Sequence, residues 1–477
     1  MADLRIPPGY MPVLIERPSD DHLQAAAIAV LSGNDPTEAI NQYNFANRDK
    51  KPKKPLLDPT FGALPIGPGH RERSSNPADY APKNSKWFLA RAFIEAMTHD
   101  EIGELVDGDL VYSDPAMSSL LNLTPPTCGT DPYVGDTETV RTKLDTARLW
   151  SNGLDGSGVA LAIVDSGIFK PRIEKLLGEM TPQRLVSLDE PNSWQTHAIT
   201  TKPGMHRLGH GTMCAYDALI AAPNATLLDY PMLIVRPPAA HTVIPTVAAA
   251  VSAYADIRNK WINPNGAPPP YERLVVSNSW GIFHPGLEDF RPNHSGRFID
   301  NPQHALRIYY IKPLTDKGVD IIFCGNNCGP SCQSPTCLSK TNGMIMGAAT
   351  YDEVLTVGGC DTHDDLVGYS SHGPTIPLLP HHVPKQKPDI TAYTHFLGSK
   401  ARRIYQPDTG VSAACPVAAG CVAALRTKLS PAQVPPASLF QALKQTARRV
   451  GGGWDPGYGY GIIDPVAAGR YLQLQIP

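Results

Sequence analysis

The sequence has no large excess of charge of either sign and no long apolar run. Its 42 Lys and Arg residues nearly balance its 45 Asp and Glu residues, and the formal net charge is −3. Binding to nucleic acid or to an anionic membrane usually requires a positively charged surface, so neither partner is predicted. No apolar stretch approaches the roughly 20 residues of a membrane-spanning helix. The 42% hydrophobic residues in a chain of 477 indicate instead a folded core and room for two domains.

The beginning of the sequence lacks the features of a secretory signal. Residues 1–8, Met-Ala-Asp-Leu-Arg-Ile-Pro-Pro, contain no positively charged segment followed by an apolar core. This pattern predicts either an intracellular protein or a sequence written without its signal, and it leaves the localisation unknown.

Nine cysteines, an odd number, cannot all pair within one chain. Four of them lie in a short stretch rich in Gly, Pro and Ser, namely Cys324, Cys328, Cys332 and Cys337. They could form disulfides, bind a structural zinc ion or remain free thiols, and their spacing is not that of the close pairs in common zinc sites. We favour one or two disulfides, although disulfides are rare in a reducing compartment. Four others stand among apolar residues and are predicted to be small core residues: Cys214, Cys360, Cys415 and Cys421.

Three motifs place polar side chains at the ends of apolar segments. Asp165 ends the apolar run 158–164, which is typical of a buried strand in a parallel sheet. His210 lies between two glycines at the start of another apolar segment. Ser412 precedes a run of small residues that predicts a buried helix with Pro416 in its first turn. Free N–H groups at a helix N-terminus stabilise anions, so Ser412 is a candidate nucleophile.

Each of these residues has a simpler interpretation when it is taken alone. Ser412 could cap a core helix, Asp165 could end a strand in a turn, and His210 could be a loop histidine with satisfied hydrogen bonds. Together, however, a serine nucleophile, a histidine base and an aspartate that orients the base form a catalytic triad. The three candidates occur along the chain in the order Asp165, His210, Ser412.

The motifs resemble those of the subtilisin-like serine proteases, or subtilases. The likeness comprises Val-Asp-Ser-Gly at 164–167, His-Gly-Thr at 210–212, Phe-Cys-Gly-Asn at 323–326 and Gly-Val-Ser-Ala-Ala-Cys-Pro at 410–416. It extends over about residues 148–468 of the chain. The residues that follow the histidine and serine motifs, Met-Cys-Ala-Tyr at 213–216 and Cys-Pro-Val at 415–417, depart from the usual family pattern. The resemblance is therefore to a divergent branch.

The resemblance implies a serine endopeptidase with Asp165, His210 and Ser412 as its triad and Asn326 as a donor to the oxyanion. The substrate-binding residues that it implies are Ser279, Trp280, Gly281, Cys324 and Gly325. It implies no cofactor for the chemistry and no metal ligand. A structural calcium ion is compatible with the family, although no calcium-binding loop can be placed. The side chains of His381, His382 and residues 361–365 could bind a metal, but they lack a convincing ligand set.

The expected fold is α/β: a subtilisin-like parallel sheet with helices on both faces, preceded by a small α+β, ferredoxin-like domain. The expected divisions are residues 1–117, a linker at 118–145 and a catalytic domain at 146–477. The basic run at 48–55 predicts a solvated loop, and Pro/Gly-rich sequence follows it to about residue 84. The β-α-β-α-β order predicted for residues 1–117 resembles an inhibitory propeptide. This resemblance implies that the N-terminal domain is an intramolecular inhibitor and that the protein is made as a self-inhibited zymogen. An unrelated α+β binding domain is the alternative.

Two other functions are compatible with parts of this pattern. A protease-like regulatory or binding protein, kept shut by residues 1–117, would carry the same motifs, although the intact triad argues against an inactive enzyme. An esterase of the α/β-hydrolase type would place its triad in the order Ser, Asp, His and would have a G-x-S-x-G motif at the serine. Neither feature is found at Ser412. The resemblance to the subtilases implies a polypeptide substrate, whose identity the sequence leaves open.

Overall fold

The structure is a computed structural model of the chain. The residues that it describes are 10–48, 55–69, 74, 76–95, 110–114, 133–178, 185–195, 199–233, 247–262, 266–281, 298–299, 304–332, 337, 345–375, 383–401, 406–448 and 453–477. The predicted metal-capable residues His381 and His382 and most of the predicted linker lie outside this part of the chain.

An antiparallel sheet is formed by the first strands of the chain. These are β1 (Tyr10–Pro18), β2 (Leu56–Leu57), β3 (Ala63–Pro65), β4 (Trp87–Glu95) and β5 (Val111–Ser113). Strand β1 pairs with β4 along its whole length and with β5 at its centre, and both β2 and β3 pair with β4. Helices α1 (Asp21–Leu31) and α2 (Thr37–Asn47) follow β1. We call residues 10–114 the N-terminal module.

The two faces of this antiparallel sheet are both buried. Val13 and Ile15 pack with α1 and α2, whereas Leu14, which points the other way, packs with residues of the second sheet's helices. This alternation is the two-residue period of a strand. It means that one face serves the module's own core and the other face serves the contact with the rest of the protein.

The Pro/Gly-rich sequence between about residues 55 and 84 contains two strands that were not predicted. Strands β2 and β3 lie within it and pair with β4. Both strands are only two or three residues long, so their hydrophobic pattern is too short to recognise among the surrounding Pro and Gly residues. Their pairing is decided by the long strand β4, which is distant in sequence.

A six-stranded parallel sheet forms the second, larger part. Its strands are β6 (Ala160–Asp165), β7 (Thr226–Pro231), β8 (Leu274–Asn278), β10 (Asp320–Cys324), β11 (Leu355–Cys360) and β12 (Ile390–Tyr393), in the order β12-β11-β10-β8-β6-β7. Every pairing in this sheet is parallel. The short strand β9 (Phe298–Ile299) instead extends the N-terminal sheet by pairing with β5.

Helices cover both faces of the parallel sheet, as the α/β pattern predicted. They are α3 (Thr137–Lys143), α4 (Thr146–Ser151), α5 (Lys170–Gly178), α6 (Gly209–Ala218), α7 (Val247–Trp261), α8 (His304–Leu306), α9 (Lys312–Asp316), α10 (Val411–Arg426), α11 (Pro436–Thr446) and α12 (Pro465–Tyr471). A π-helical turn, Arg307–Ile311, joins α8 to α9. Among the described residues, no helix combines the length and the apolar character that crossing a membrane requires.

Two hydrophobic cores lie on opposite faces of the parallel sheet. In β6, Leu161 and Ile163 contribute to the core that contains α6 and α10, while Ala160, Ala162 and Val164 contribute to the core that contains α7. All sixteen residues of α10 are buried. A strand that is apolar on both sides and a helix that is apolar all round are both typical of the centre of a layered α/β domain.

Candidate active site

Asp165 and His210 meet at the carboxyl end of the parallel sheet. Asp165 is the last residue of β6, and His210 lies in the first turn of α6. His210 Nδ1 lies 2.8 Å from Asp165 Oδ1, and the two residues are 1% and 0% exposed. The backbone N–H of Ser166 also donates to Asp165 Oδ1, at 2.6 Å. This carboxylate is therefore oriented by its own turn and can hold the imidazole in one tautomer.

The close approach of α6 to the turn after Asp165 explains the Gly and Thr of the His-Gly-Thr motif. A Cβ at Gly211 would lie 2.5 Å from the carbonyl oxygen of Gly167, so only glycine fits there. The N–H of Gly211 donates to Ser166 Oγ at 2.9 Å, and Thr212 Oγ1 accepts from Phe169 N at 2.9 Å. The two motifs thus bind to each other directly, which fixes His210 against Asp165.

Ser412 is the second residue of α10 and is completely buried. Its Oγ donates to the carbonyl of Ser279 at 3.5 Å. His210 Nε2 is buried and has no hydrogen-bond partner among the described residues. The imidazole nitrogen that would accept the serine proton is therefore available. Catalytic hydrogen bonds are often long before substrate binds.

Pro416 does not lie in the first turn of its helix, contrary to the prediction. Helix α10 begins at Val411, so Pro416 lies in the second turn. Proline has no N–H for the carbonyl four residues earlier, which is that of Ser412. Two side chains contact that carbonyl instead: Ser279 Oγ donates to it at 3.0 Å and Cys214 Sγ lies at 3.4 Å. The proline thus frees the backbone of Ser412 to bind neighbouring elements.

Asn326 follows β10 and adopts a left-handed backbone conformation with φ 68°, which Asn tolerates better than most residues. A Cβ at Gly281 would lie 2.6 Å from Asn326 Oδ1. The neighbouring Asn327 accepts the N–H of Val411 through Oδ1 at 2.8 Å. The loops after β8 and β10 and the N-terminus of α10 therefore converge around one position.

The predicted substrate-binding residues fall into two groups. The backbone and side chain of Ser279 contact Ser412, and Gly281 lies beside Asn326. The indole of Trp280, by contrast, is 2% exposed, packs edge-on against Phe323 at 5.1 Å and donates to Asn278 Oδ1 at 3.2 Å. The indole is therefore part of the core, and a contact of residue 280 with substrate stays a prediction.

Cys324 is likewise a core residue. Its thiol is 3% exposed and lies 3.7 Å from the carbonyl of Trp280, and burial raises the pKa of the thiol. The side chain thus fills the space beneath the loop. Gly325, next to it, donates its N–H to the carbonyl of Val357 at 2.8 Å, which anchors the segment that leads to Asn326.

Cys214 contacts the Asp165–His210 pair, a role that the sequence analysis missed. Its Sγ lies 3.8 Å from Asp165 Oδ2 and 3.9 Å from His210 Nδ1. The ligand-type atoms of these three residues all lie within 4.8 Å of one another. The signal was present in the sequence, because a residue four positions after His210 lies on the same face of a helix. Burial, followed by the charge of Asp165, keeps the pKa of this thiol well above its usual range.

The cysteine loop contains disulfides, as favoured from the sequence. Cys328 and Cys337 form a disulfide, Cys332 is also disulfide-bonded, and Cys324 is a free buried thiol. This loop follows Asn326 directly, so the cross-link between Cys328 and Cys337 restrains the chain next to the candidate oxyanion donor.

The acidic loop 361–365 uses its central carboxylate internally. Asp364 accepts hydrogen bonds from Lys143, Arg448 and Tyr393. Partial burial raises the pKa of Asp364, but these donors outweigh it and lower the pKa to about 2. The charge is therefore balanced by cations of the chain itself.

An Asp-His-Ser arrangement at the carboxyl edge of a parallel sheet is typical of a class of serine hydrolases. The family model described as "Subtilase family" matches residues 156–461, more than half of the chain. The chain therefore belongs to the subtilase family.

Three relatives illustrate the similarity. The subtilisin-like protease SBT6.1 of Arabidopsis thaliana is 34% identical over 140 residues, which are 28% of this chain and 14% of that protein. The membrane-bound transcription factor site-1 protease of Homo sapiens is 34% identical over 137 residues, 28% of this chain and 13% of that protein. The calcium-dependent protease of Nostoc sp. is 27% identical over 357 residues, 68% of this chain and 47% of that protein. The chain thus matches less than half the length of each relative.

The crystal structure of MycP1 from the ESX-1 type VII secretion system matches with a TM-score of 0.47 and 19% sequence identity. The match covers 77% of this chain and 91% of that chain.

Proposed function

We propose that this chain is a serine endopeptidase that hydrolyses peptide bonds through Asp165, His210 and Ser412. The observation that carries the proposal is the buried 2.8 Å contact of His210 Nδ1 with Asp165. It leaves His210 Nε2 buried and without a partner among the described residues. A histidine oriented on one nitrogen and available on the other is what a general base for serine requires.

In the proposed reaction, Ser412 Oγ turns from the Ser279 carbonyl and attacks the carbonyl carbon of the substrate. Its proton moves to His210 Nε2, and the negative charge of Asp165 stabilises the imidazolium that forms. The imidazolium then gives the proton to the leaving amine as the C–N bond breaks, which leaves an ester on Ser412. A water molecule then attacks this ester while His210 Nε2 takes its proton. The proton passes to Ser412 Oγ as the ester bond breaks, which releases the acid product and restores Ser412. No cofactor takes part in these steps.

The proposed oxyanion site combines the Asn326 side chain with the backbone N–H of Ser412. Both groups lie near the N-terminus of α10, where the helix dipole favours negative charge. The backbone of residues 279–281 is the proposed partner of an extended substrate peptide. Calcium is named in the calcium-dependent protease of Nostoc sp., and a structural calcium ion remains a proposal for this chain without an assigned position.

The protein is further proposed to be a zymogen inhibited by its own N-terminal module. Ser412 is 0% exposed and His210 is 1% exposed in the whole chain, so both residues are buried in the presence of the module. Asp114, at the end of the module, accepts the N–H of Ala248 in the first turn of α7 at 2.8 Å. A carboxylate at that position is stabilised by the helix dipole.

A buried polar contact also supports the attachment of the module. Glu16 of β1 is 0% exposed and accepts hydrogen bonds from the hydroxyls of Tyr112 and Tyr309. Tyr112 belongs to the module, whereas Tyr309 lies in the π-helical turn of the larger part of the protein. We call this larger part, the described residues between 133 and 477, the catalytic part. Removing a hydrogen-bond donor from a buried carboxylate is costly, so these contacts support the attachment of the module to the catalytic part.

The alternative function is a protease-like regulatory or binding protein in which the catalytic site is restrained. Two observations favour this alternative: Ser412 is buried, and its Oγ donates a hydrogen bond to the carbonyl of Ser279 rather than to His210. A restrained protein would keep its N-terminal module and would not react at Ser412.

The test compares the intact mass of the full chain with that of Ser412→Ala after expression. A self-processing endopeptidase gives two fragments, divided between about residues 113 and 136, whereas Ser412→Ala stays whole. Labelling by a fluorophosphonate probe provides the second readout, because it reports an activated serine without requiring the natural substrate. Wild type that stays whole and unlabelled would support the restrained protein instead.

A further inference from the structure

A second buried carboxylate lies beside the proposed catalytic pair. Asp229 is in the middle of β7, next to β6, and is 0% exposed. Its Oδ2 accepts the N–H of Gly204 at 2.8 Å, and both of its oxygens lie 3.2 Å from the N–H of Ile168. Ile168 follows Asp165 by three residues, and Gly204 precedes His210 by six. One carboxylate therefore holds the two loops that carry the catalytic aspartate and histidine.

These two loops are also joined to each other. The N–H of His206 donates to the carbonyl of Ile168 at 2.9 Å, and the N–H of Lys170 donates to the carbonyl of Gly204 at 2.8 Å. Phe169 and Met205 form an antiparallel bridge between them. The two loops thus form a small unit that is held together by backbone hydrogen bonds. Asp229 binds that unit to the strand next to β6.

His206 provides a second imidazole within this unit. Its ring is 5% exposed, and its Nε2 lies 3.9 Å from Asp229 Oδ2 without a hydrogen-bond partner among the described residues. His206 lies four residues before His210 in the chain. Asp229 lies on β7, the strand next to the strand that ends in Asp165. Two carboxylate–imidazole pairs therefore lie side by side, one short and one long.

We propose that Asp229, together with His206, is a positioning pair that sets the geometry of the Asp165–His210 contact. The assignment rests on the proposed endopeptidase function. The carboxyl group of Asp229 accepts hydrogen bonds from the loop after Asp165 and from the loop before His210 and holds them at a fixed separation. Asp229 touches neither substrate nor Ser412, so it acts through the catalytic pair.

The charge of Asp229 argues against a role in stability alone. The titratable groups that face it are Asp165 on the neighbouring strand and His206 on the loop. Burial raises the pKa of Asp229, the charge of Asp165 adds to the effect, and the two backbone donors oppose it, with the result that the pKa is about 7. Burial lowers the pKa of His206, so that ring supplies little compensating positive charge at neutral pH. An ionised carboxylate at this position destabilises the fold. The presence of Asp229 is therefore assigned to its role in positioning the Asp165–His210 contact.

The first experiment measures the rate constant for labelling of Ser412 by a fluorophosphonate in the full chain. Asp229→Asn is compared with wild type, and Asp256→Asn is the matched control. Asp256 is also a carboxylate on the catalytic part, bound by Tyr230 and Lys260 on the opposite side of the sheet. We expect a fall of about 10- to 100-fold for Asp229→Asn above neutral pH, because small misplacement of catalytic groups has effects of this size, and little change for Asp256→Asn.

The pH dependence distinguishes a positioning role from a loss of folding. Asn imitates the protonated carboxyl, so the ratio of the wild-type rate to the Asp229→Asn rate should shrink as the pH falls through about 7. The melting temperature of Asp229→Asn should not fall, since a buried charge is removed. A lower melting temperature with an unchanged rate and pH profile in the folded fraction would overturn the proposal.

A readout that needs no activity is the Nδ1–H proton resonance of His210 in the full-length Ser412→Ala chain. Adding Asp229→Asn should shift or broaden it, and adding Asp256→Asn should not. If wild type is never labelled by the probe but the resonance responds to Asp229→Asn, the endopeptidase proposal fails while the positioning pair stands. If labelling occurs and neither the rate nor the resonance responds to Asp229→Asn, the positioning pair is excluded and the endopeptidase proposal stands.

Discussion

The carboxyl edge of the parallel sheet and the contact surface of the N-terminal module are built differently. At the sheet edge, polar side chains are held by backbone groups of adjacent turns, as Asp165 is by Ser166. At the module surface, apolar residues of β1 and β4 pack against the catalytic part, and the buried carboxylate of Glu16 accepts hydrogen bonds there. The first arrangement fixes the positions of the atoms that are proposed to do the chemistry. The second holds two bodies together, with specificity from a few hydrogen bonds. Substitutions in the two regions should therefore change different properties.

The largest effect is expected at the sheet edge. Replacing His210 by Ala removes the proposed general base, and we expect the rate of peptide hydrolysis or probe labelling to fall by about 10⁶-fold. The melting temperature should also fall, because the buried carboxylate of Asp165 loses a hydrogen-bond partner. A steady-state or labelling assay with parallel thermal unfolding checks both. A variant that retains more than about a hundredth of the wild-type rate would contradict the assigned base.

Asn326 should show a smaller effect on rate. Loss of one oxyanion donor typically lowers kcat by about 10²–10³-fold, and we expect this for Asn326→Ala with little change in KM. Asn326→Gly is the matched control, because glycine also lacks the amide but accepts the left-handed backbone without strain. Both variants should lose the same rate, whereas only Ala should lose stability. If Gly restored the rate, the role of Asn326 would be conformational.

Asp229 provides a pH-dependent comparison of stability within the parallel sheet. Its pKa is about 7 in the fold and about 3.9 in an unfolded chain, so the folded state binds the proton more tightly. Its contribution to stability is complete below about pH 4 and is lost as the pH rises through about 7, by at most about 4 kcal/mol. Urea unfolding at about pH 5 and about pH 8 should therefore show a larger loss for wild type than for Asp229→Asn.

Asp364 is the control for this pH effect. Its pKa is lowered to about 2, so its contribution is constant over that range and is lost only in strong acid. The stability of Asp364→Asn should therefore run parallel to that of wild type between the two pH values. Parallel curves for Asp229→Asn as well would show that Asp229 does not titrate there.

The smallest effect is expected at the module surface. Tyr309→Phe removes a donor to the buried carboxylate of Glu16 and should weaken the contact by about 1–3 kcal/mol. Hydrogen exchange of the β1 amides should then become faster. The labelling rate of Ser412 should stay the same or rise, since the module is proposed to restrain the site.

Tyr310→Phe is the matched control on the same π-helical turn. The Tyr310 hydroxyl is buried without a hydrogen-bond partner among the described residues, so its removal leaves no group unsatisfied. We expect β1 to exchange as in wild type. Equal acceleration by both variants would mean that the aromatic packing, and not the bond to Glu16, holds the module.

Much of the fold could be predicted from the sequence because its signals are local. The apolar strand that ends in Asp165 and the small-residue helix after Ser412 are continuous patterns of the kind that buried elements require. The short strands β2 and β3 could not be predicted, because their pairing depends on β4. The start of α10 was misplaced because Pro416 was assigned to the first turn. In the structure Pro416 lies in the second turn, and Ser279 and Cys214 contact the carbonyl of Ser412 that the proline leaves free.

The sequence alone determined the order of the motifs, the candidate residues Asp165, His210 and Ser412, and the alternation of strands and helices. Only the tertiary structure decided that Trp280 and Cys324 are core side chains, that Cys214 touches the Asp165–His210 pair, and that Asp229 holds two loops together. The physical reason is the range of the interactions. Strand and helix periodicity is written in neighbouring residues, whereas burial and hydrogen-bond partners depend on segments that lie far apart in the chain and meet only when it folds.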